Sequence, residues 1–351
     1  MKAVILAGGE GTRLRPLTLT LPKPVVPVVD RPFLCHQIDI LKSAGISEIV
    51  FSVAYRPDRV RSVFGDGSAH GVHIHYAVEE TPLGTGGAVK NAEPLLDDRT
   101  VVLNGDILAD VNLADVIGEH ETSKAAATLV LTPVPNPAAY GLVEIDASGN
   151  VLRFIEKPNP TEITTDTINA GIYILETRVL DLMPRGEKHS IERAFFPDLL
   201  RRGDRVRAHV HRGYWIDIGT PEKYSQVHRD ILSQRFPVAL DGTPRDGGWI
   251  HPSARVEVDA ILCSPFYIGP GCTIASGATV GPNAVLVRDV SVGRSAAVLE
   301  TVAWEGNVIE ASARVEGCLF GPHVRIGSDA VVVGLILGDS SVLTDFSRTL
   351  S

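Results

Sequence analysis

Cysteine is scarce. Four residues, Cys35, Cys263, Cys272 and Cys318, stand far apart in a chain of 351. No C-x-x-C pair occurs, so the sequence carries neither a disulfide framework nor a zinc-ribbon spacing; the four read as reduced core thiols of a cytosolic protein. Long apolar runs are also missing. None approaches the ~20 residues that cross a bilayer. The apolar start, 3-AVILA-7, is too short for the apolar region of a secretion signal and has only Lys2 before it. The expectation is a cytoplasmic protein with no membrane partner. Positive charge is in deficit, with 33 Lys and Arg against 42 Asp and Glu and a net charge of −9. That balance argues against nucleic acid as a main partner, and any anion must be met by a local basic cluster.

What is present is globular: 44% hydrophobic and 21% charged residues, with length for two domains. Residues 1–236 alternate strand and helix patterns. The strand candidates are 3-AVILA-7, 48-EIVFSVA-54, 73-HIHYAV-78 and 100-TVVLNGD-106. In 32-PFLCHQIDILKSAG-45, Leu34, Ile38 and Leu41 share one helical face, with Pro32 in the first turn and Gly45 at the C-cap. A second helix fits 85-TGGAVKNAEPLL-96, though Gly86 and Gly87 weaken its start. The pattern predicts an α/β catalytic domain: a Rossmann-like, mostly parallel sheet with helices on both faces. Ligands of such sheets bind at the carboxyl ends of strands, where Gly8 to Arg13 and Asp106 fall.

After 237–248, a linker by its Pro, Gly and Asp content, the period changes. From Ile250, aliphatics recur every six residues through Val256, Leu262, Ile268, Ile274, Val280, Leu286, Val292 and Val298. With aliphatics near 30% of residues, chance gives such a run about once in 10⁴–10⁵ trials. The phase breaks at Trp304 and resumes at Ile309, Val315, Ile326 and Val332. Residues 249–351 therefore read as a hexapeptide-repeat solenoid. The pattern resembles left-handed parallel β-helices, and the handedness is taken from that resemblance.

The chemistry-bearing stretch is 2-KAVILAGGEGTRLRPLTLTLPKP-24. It is not a Walker A loop: Arg13 follows Gly8 at the fifth position and no Lys-Ser/Thr comes after. It is not a dinucleotide loop either, since the third glycine would be Leu14. Gly8, Gly9 and Gly11 still let backbone N–H groups approach a phosphate, and Arg13 and Lys23 supply charge. Local residues alone leave a plain glycine turn with solvated cations equally open.

G-G-E-G-T-R-L-R-P-L-T followed by P-K-P resembles the signature of the sugar-1-phosphate nucleotidylyltransferases. The likeness continues in 104-NGD-106, 155-IEKP-158, 168-INAGIYIL-175, 190-SIERAFFP-197 and 214-YWIDIGTPEKY-224, and it covers the solenoid. The I-N-A-G-I-Y-I, S-I-E and G-Y-W-I-D-I-G segments match the guanylyl branch better than the thymidylyl or uridylyl branches. The reaction implied joins a sugar-1-phosphate, expected to be mannose-1-phosphate, to a nucleoside triphosphate, expected to be GTP, and releases pyrophosphate. The sugar phosphate is already ionised near pH 7. Positioning and charge stabilisation, rather than a general base, would do the work.

The resemblance assigns roles residue by residue. Arg13 would stabilise the triphosphate and Lys23 the α-phosphate, with Leu6, Ala7, Gly8, Gly9, Gly11, Thr12, Gly84 and Asn104 forming the rest of the nucleotide site. Asp106 and Asp217 would hold Mg²⁺, whose preference is for hard oxygens. Glu156 and Lys157 would grip the sugar and its phosphate, walled by Gly141, Asn169 and Gly171. By spacing alone the two aspartates are unremarkable, and E-K-P could be an exposed hairpin end. In 79-EETPLGTGG-87, Glu79 stands where thymidylyl and uridylyl relatives carry glutamine. A carboxylate only accepts, which suits the adjacent N1–H and amine of guanine. The alternative is that Glu79 or Glu80 is a solvated surface charge.

His73 and His75 share a strand face without an evident third ligand. His251 and His323 lie in turn-like contexts, which speaks against an acyltransferase in the solenoid. Ser190 reads as a helix N-cap. The rivals are thymidylyl or uridylyl transfer to glucose-1-phosphate, transfer to a heptose-1-phosphate, and a silent nucleotide-sugar sensor. The last is opposed by the presence of Arg13, Lys23, Asp106 and Asp217. Exposed β-helix ends predict a homo-oligomer.

Overall fold

The computed structural model describes residues 1–155, 159 and 163–349. The chain divides into two compact units: Met1–Glu10 with Leu34–Asp217, and Gly11–Phe33 with Ile218–Ser351.

The first unit is built on β1 (Lys2–Leu6), α1 (Phe33–Ser43), β2 (Glu48–Val53), α2 (Pro57–Phe64), β3 (His73–Val78), α3 (Gly84–Ala92) and β4 (Arg99–Asn104). There follow β5 (Ile107–Ala109), α4 (Leu113–Ser123), β6 (Ala127–Pro133), β7 (Leu142–Ile145) and β8 (Val151–Ile155). It closes with β9 (Thr167–Glu176), α5 (Phe196–Arg202), β10 (Val206–Val210) and β11 (Trp215–Asp217). Among the described residues nine strands form one sheet in the order β8-β7-β9-β4-β1-β2-β3, with β6 pairing β9 and β10. The β4-β1-β2-β3 part is parallel. Around β9 the pairing is antiparallel, so the sheet is mixed. The antiparallel half was illegible because its strands sit among turn residues without the clean strand–helix alternation of the first hundred.

Parallel strands covered on both sides read as continuous aliphatic runs, and 3-AVI-5 is buried throughout. One face, with Val4, Val50 and Val102, packs on Val89 and Ala92 of α3 and on Phe196 and Leu199 of α5. The adjacent residue on β2, Phe51, points the other way and meets Phe64 of α2 edge-to-face, with ring centroids 5.3 Å apart. Each fully buried side chain of this size contributes about 1.5–3 kcal/mol. The helix expected over 85–96 stops at Ala92; Pro94 turns 93–95 into a 3₁₀ turn.

In the second unit, α6 (Pro221–Leu232) precedes a coil of short strands in three sheets of seven, six and five. Its first strand, Thr243–Arg245, lies within the stretch read as linker and pairs antiparallel with Gly248–Ile250; the later pairings are parallel. The arrangement is consistent with a left-handed β-helix. Phe266 lies opposite Ala284, 18 residues on, which is three six-residue rungs. From Val285 opposite Val302 onward the offset is 17. One rung per coil has five residues, so the inward position after Val298 is Ala303, not Trp304. The phase break in the sequence is this shortened rung. Its corner is turned by Glu300 (φ 47°), and in the next coils by Gly317 (φ 64°) and Gly334 (φ 68°).

Candidate active site

The residues singled out by the sequence fall in both units. Leu6 to Gly9, Glu79, Gly84, Asn104, Asp106, Gly141, Asn169, Gly171 and Asp217 belong to the first. Gly11, Thr12, Arg13 and Lys23 belong to the second. Glu156 and Lys157 lie outside the described residues.

In the first unit, β1 ends at Leu6, and the Ala7 N–H donates to Ser52 O at 2.8 Å. The strand expected to run to Asp106 ends at Asn104, because Gly105 folds back onto the end of β1. The Gly105 N–H donates to Leu6 O at 3.0 Å. A Cβ on residue 105 would collide with that same carbonyl oxygen. Only glycine permits so close a backbone approach. Asn104 is anchored by Gln37, whose side-chain amide donates to the carbonyls of Asn104 (2.8 Å) and Ile107 (2.9 Å).

Asp106 and Asp217 are 111 residues apart in sequence, and the ladder between β5 and β11 brings their segments together. Asp217 pairs antiparallel with Ile107, the residue next to Asp106. The Tyr140 hydroxyl donates to Asp217 Oδ1 at 3.2 Å. Trp215 stands edge-to-face on Tyr140 and donates its indole N–H to Ala170 O at 2.9 Å. Carboxylates at this place are a donor set that suits a hard divalent cation, which uses one or two protein carboxylates and fills its shell from phosphates and water. Among the described residues no group of three or more His, Cys, Asp or Glu is placed to hold a metal.

Glu79 is not the solvated charge that the sequence left open. It is 6% exposed. Its Oε1 accepts from Ser52 Oγ at 2.9 Å and its Oε2 from the Leu83 N–H at 2.8 Å. The carboxylate thus ties the 79–83 loop to β2, and a Cβ on Gly8 would lie 3.2 Å from Oε1. Glu80 is exposed.

A polar network that the sequence did not reveal joins the I-N-A-G, S-I-E and 84–87 segments. The register of β9 against β6 slips between Asn169 and Tyr173. Asn169 Nδ2 donates to Tyr173 OH (2.8 Å), and Asn169 Oδ1 accepts from the Gly171 N–H (3.0 Å). The Tyr173 hydroxyl donates to Glu192 Oε1 (3.2 Å), while Thr85 and Ser190 hydroxyls donate to Glu192 Oε2, each at 2.9 Å. Burial, reinforced by Glu192, raises the Tyr173 pKa well above that of an ordinary phenol, so its proton stays available to donate. Ser190 also accepts from the Arg193 N–H, as the N-cap reading expected. The signal for Glu192 was in S-I-E, but spacing cannot show which hydroxyls converge on it. Gly141 O accepts from the Asn169 N–H at 3.3 Å. His75 is engaged by Glu48 at 2.8 Å.

In the second unit, Gly11 has φ 64°, and its carbonyl accepts from Thr18 Oγ1 at 2.7 Å. Thr12–Leu14 is a 3₁₀ turn with Leu14 buried and Arg13 exposed. Lys23 begins the 3₁₀ turn Lys23–Val25 and is 7% exposed.

An α/β sheet with a glycine loop at the end of its first strand, continued by a hexapeptide coil, defines a class of two-part α/β–β-helix proteins. The nucleotidyl transferase family model matches residues 2–234, and the GMPPB C-terminal domain model matches residues 247–347. A mannose-1-phosphate guanylyltransferase of Mycobacterium tuberculosis is 40% identical over 277 residues, 78% of this chain and 77% of the relative. A mannose-1-phosphate guanyltransferase of Debaryomyces hansenii is 38% identical over 95% of this chain and 94% of its own length. A UTP–glucose-1-phosphate uridylyltransferase of Synechocystis is 33% identical over 84% of this chain and 88% of its own. Among solved structures, HddC from Yersinia pseudotuberculosis complexed with GMP-PN superposes with a TM-score of 0.56 at 30% identity, covering 64% of this chain and 97% of that one. The chain belongs to the nucleotidyl transferase family and is a nucleotidyltransferase acting on a nucleoside triphosphate and a sugar phosphate. Nucleotidyltransferases of this family generally use a divalent metal.

Proposed function

We propose that this protein is a mannose-1-phosphate guanylyltransferase: GTP and mannose-1-phosphate give GDP-mannose and pyrophosphate. The observation that carries the reading is the 40% identity to the mycobacterial relative of that name. Arg13 meets the triphosphate and the departing pyrophosphate, and Lys23 the α-phosphate. The glycine turn at Gly8, Gly9 and Gly11, with Leu6, Ala7, Thr12, Gly84 and Asn104, lines the nucleotide. Gly141, Asn169 and Gly171 line the sugar, with Glu156 and Lys157 at its hydroxyls and phosphate. Asp106 and Asp217 hold Mg²⁺, which supplies charge neutralisation at the phosphates. The pairing of Asp217 with Ile107 supports this choice.

Guanine selection rests on the Glu79 loop. A carboxylate offers about four acceptor sites; Ser52 and Leu83 take one on each oxygen. The remainder can accept from the guanine edge. A second reading, uridylyl transfer to glucose-1-phosphate, is favoured by the Synechocystis relative. Assembly through the β-helix in the cytoplasm belongs to the same proposal. Its support is the apolar exposure at the coil's ends, Val258 and Ile261 at the first coil and Val342 and Phe346 at the last; no helix among the described residues is long and apolar enough to cross a membrane.

The test is pyrophosphate release with Mg²⁺ over four nucleoside triphosphates and mannose-, glucose- and N-acetylglucosamine-1-phosphate. Turnover with GTP and mannose-1-phosphate, abolished by chelation, is expected. Preference for UTP and glucose-1-phosphate would establish the second reading instead.

A further inference from the structure

The signature segment Gly11–Phe33 belongs to the same compact unit as the β-helix, and the contacts inside that unit are specific. After Lys23–Val25 the chain forms a two-strand hairpin, Pro27–Val28 with Arg31–Pro32. Its tip carries Val29 at φ 58°. A β-branched residue in the left-handed region is strained and persists only where its surroundings hold it. Three holds are visible. The Val29 N–H donates to His228 Nδ1 of α6 at 3.3 Å. The Asp30 carboxylate accepts from the Asp241 N–H at 2.9 Å. The Tyr224 hydroxyl of α6 donates to Pro27 O.

Tyr224 is itself held from the β-helix. Trp304 donates its indole N–H to the Tyr224 oxygen at 2.9 Å, with the rings 6.4 Å apart and nearly perpendicular. Trp304 is 2% exposed although it lies just past the inward position taken by Ala303. The five-residue rung thus has a consequence: it places Ala303 inside the coil and leaves Trp304 to meet α6. Burial raises the Tyr224 pKa far above that of an ordinary phenol, so the hydroxyl keeps its proton and passes the chain of bonds on to Pro27. A further touch comes from the later coils, where a Cβ on Gly338 would lie 3.1 Å from Cβ of Pro16, three residues past Arg13.

We propose that Trp304 and Tyr224 are positioning residues for the nucleotide-handling loop, so that the β-helix sets the conformation from which Arg13 and Lys23 act. The proposal rests on the roles given above to those two cations. It assigns the solenoid a part in turnover as well as in assembly. It also explains a tryptophan at the first place where the hexapeptide phase fails.

The experiment uses the full-length enzyme with Tyr224→Phe, which keeps the ring and removes only the hydroxyl, and Trp304→Phe, which keeps an aromatic ring but removes the indole N–H together with part of the buried ring volume. Two readouts are needed: steady-state kinetics with each substrate varied, and amide hydrogen exchange resolved by segment. We expect kcat/KM for the nucleoside triphosphate to fall roughly tenfold in Tyr224→Phe, the scale of one buried hydrogen bond. Trp304→Phe should show a smaller fall, and KM for the sugar phosphate should be unchanged in both. Exchange should rise in 11–33 while the β-helix coils keep their protection. The double variant should lose little more than Tyr224→Phe alone, because both lie on one path. Unchanged exchange in 11–33 with unchanged nucleotide kinetics overturns the proposal. So does exchange that rises uniformly through the coils, since that is loss of packing and not of positioning. Arg13→Ala and Lys23→Ala run alongside. If they leave turnover intact, the assignment of the cations fails; if they abolish it while Tyr224→Phe is silent, only the positioning role fails.

Discussion

Glu192 receives three hydroxyl donors on two oxygens, from Tyr173, Thr85 and Ser190. Tyr173 in turn receives Asn169, which holds the Gly171 N–H in the I-N-A-G bulge. Bonds that share acceptors in a poorly solvated place act together. Glu192→Gln puts an amide N–H₂ where a hydroxyl now donates, and we expect it to cost about 1–2 kcal/mol in denaturant unfolding. Tyr173→Phe should cost a similar amount. The double variant should lose clearly less than the sum, and a simple sum would show three independent contacts instead of a network. At this scale the sequence was partly legible. Ser190 announced a cap, and a capping Ser beside Glu is a known local pattern. The convergence of residues 85, 173 and 192 was not legible, because it depends on where β9 slips against β6. Glu79 shows the opposite limit: its acceptor chemistry was readable, but its engagement by Ser52 and Leu83 was not.

At the scale of elements, the first hundred residues were readable because strands buried on both faces leave unbroken aliphatic runs between amphipathic helices. The end of β4 was misjudged by the turn N-G-D. Hydrophobicity says nothing about Gly105 turning back to donate to Leu6 O. That turn carries Asp106 to the start of β5, whose ladder partner carries Asp217. Gly105→Ala therefore tests the element and not the proposed ligand Asp106 itself. Its Cβ must displace the Leu6 carbonyl or the turn, which costs about 1–3 kcal/mol of stability. The larger effect should be on the metal. Half-saturation by Mg²⁺ should move to higher concentration, with turnover at saturating nucleotide reduced at least about tenfold. A variant that melts lower yet keeps the wild-type Mg²⁺ titration would separate the turn from the metal site proposed at Asp106 and Asp217.

The whole second unit is governed by a count. Six-residue rungs make 18-residue coils up to Leu286, and from there each coil has 17. Six-fold spacing was legible from Ile250 to Val298 because every rung there buries one aliphatic. The shortened rungs were not, since a five-residue rung looks like a lost phase until the partner strands are known: Ala303 and Phe320 are the inward residues that strict counting by six passes over. Register then forbids slippage. Moving a strand by one residue sends every inward side chain outward, and Ile309, Val315 and Ile326 would all leave the core. An alanine inserted between Leu299 and Glu300 restores a six-residue rung at a corner, where the extra residue can bulge into solvent. We expect it to cost about 1 kcal/mol or less. The same alanine between Val308 and Ile309 falls inside a strand and must either break the ladder or shift everything after it; a loss above about 3 kcal/mol is expected there. Thermal unfolding of the two insertions side by side decides the matter. Equal losses would mean that the coil tolerates slippage and that Trp304 is not fixed by the rung count, whereas a large difference, with nucleotide kinetics kept in the corner insertion, would tie the placement of Trp304 against Tyr224 to the register of the coils beyond it.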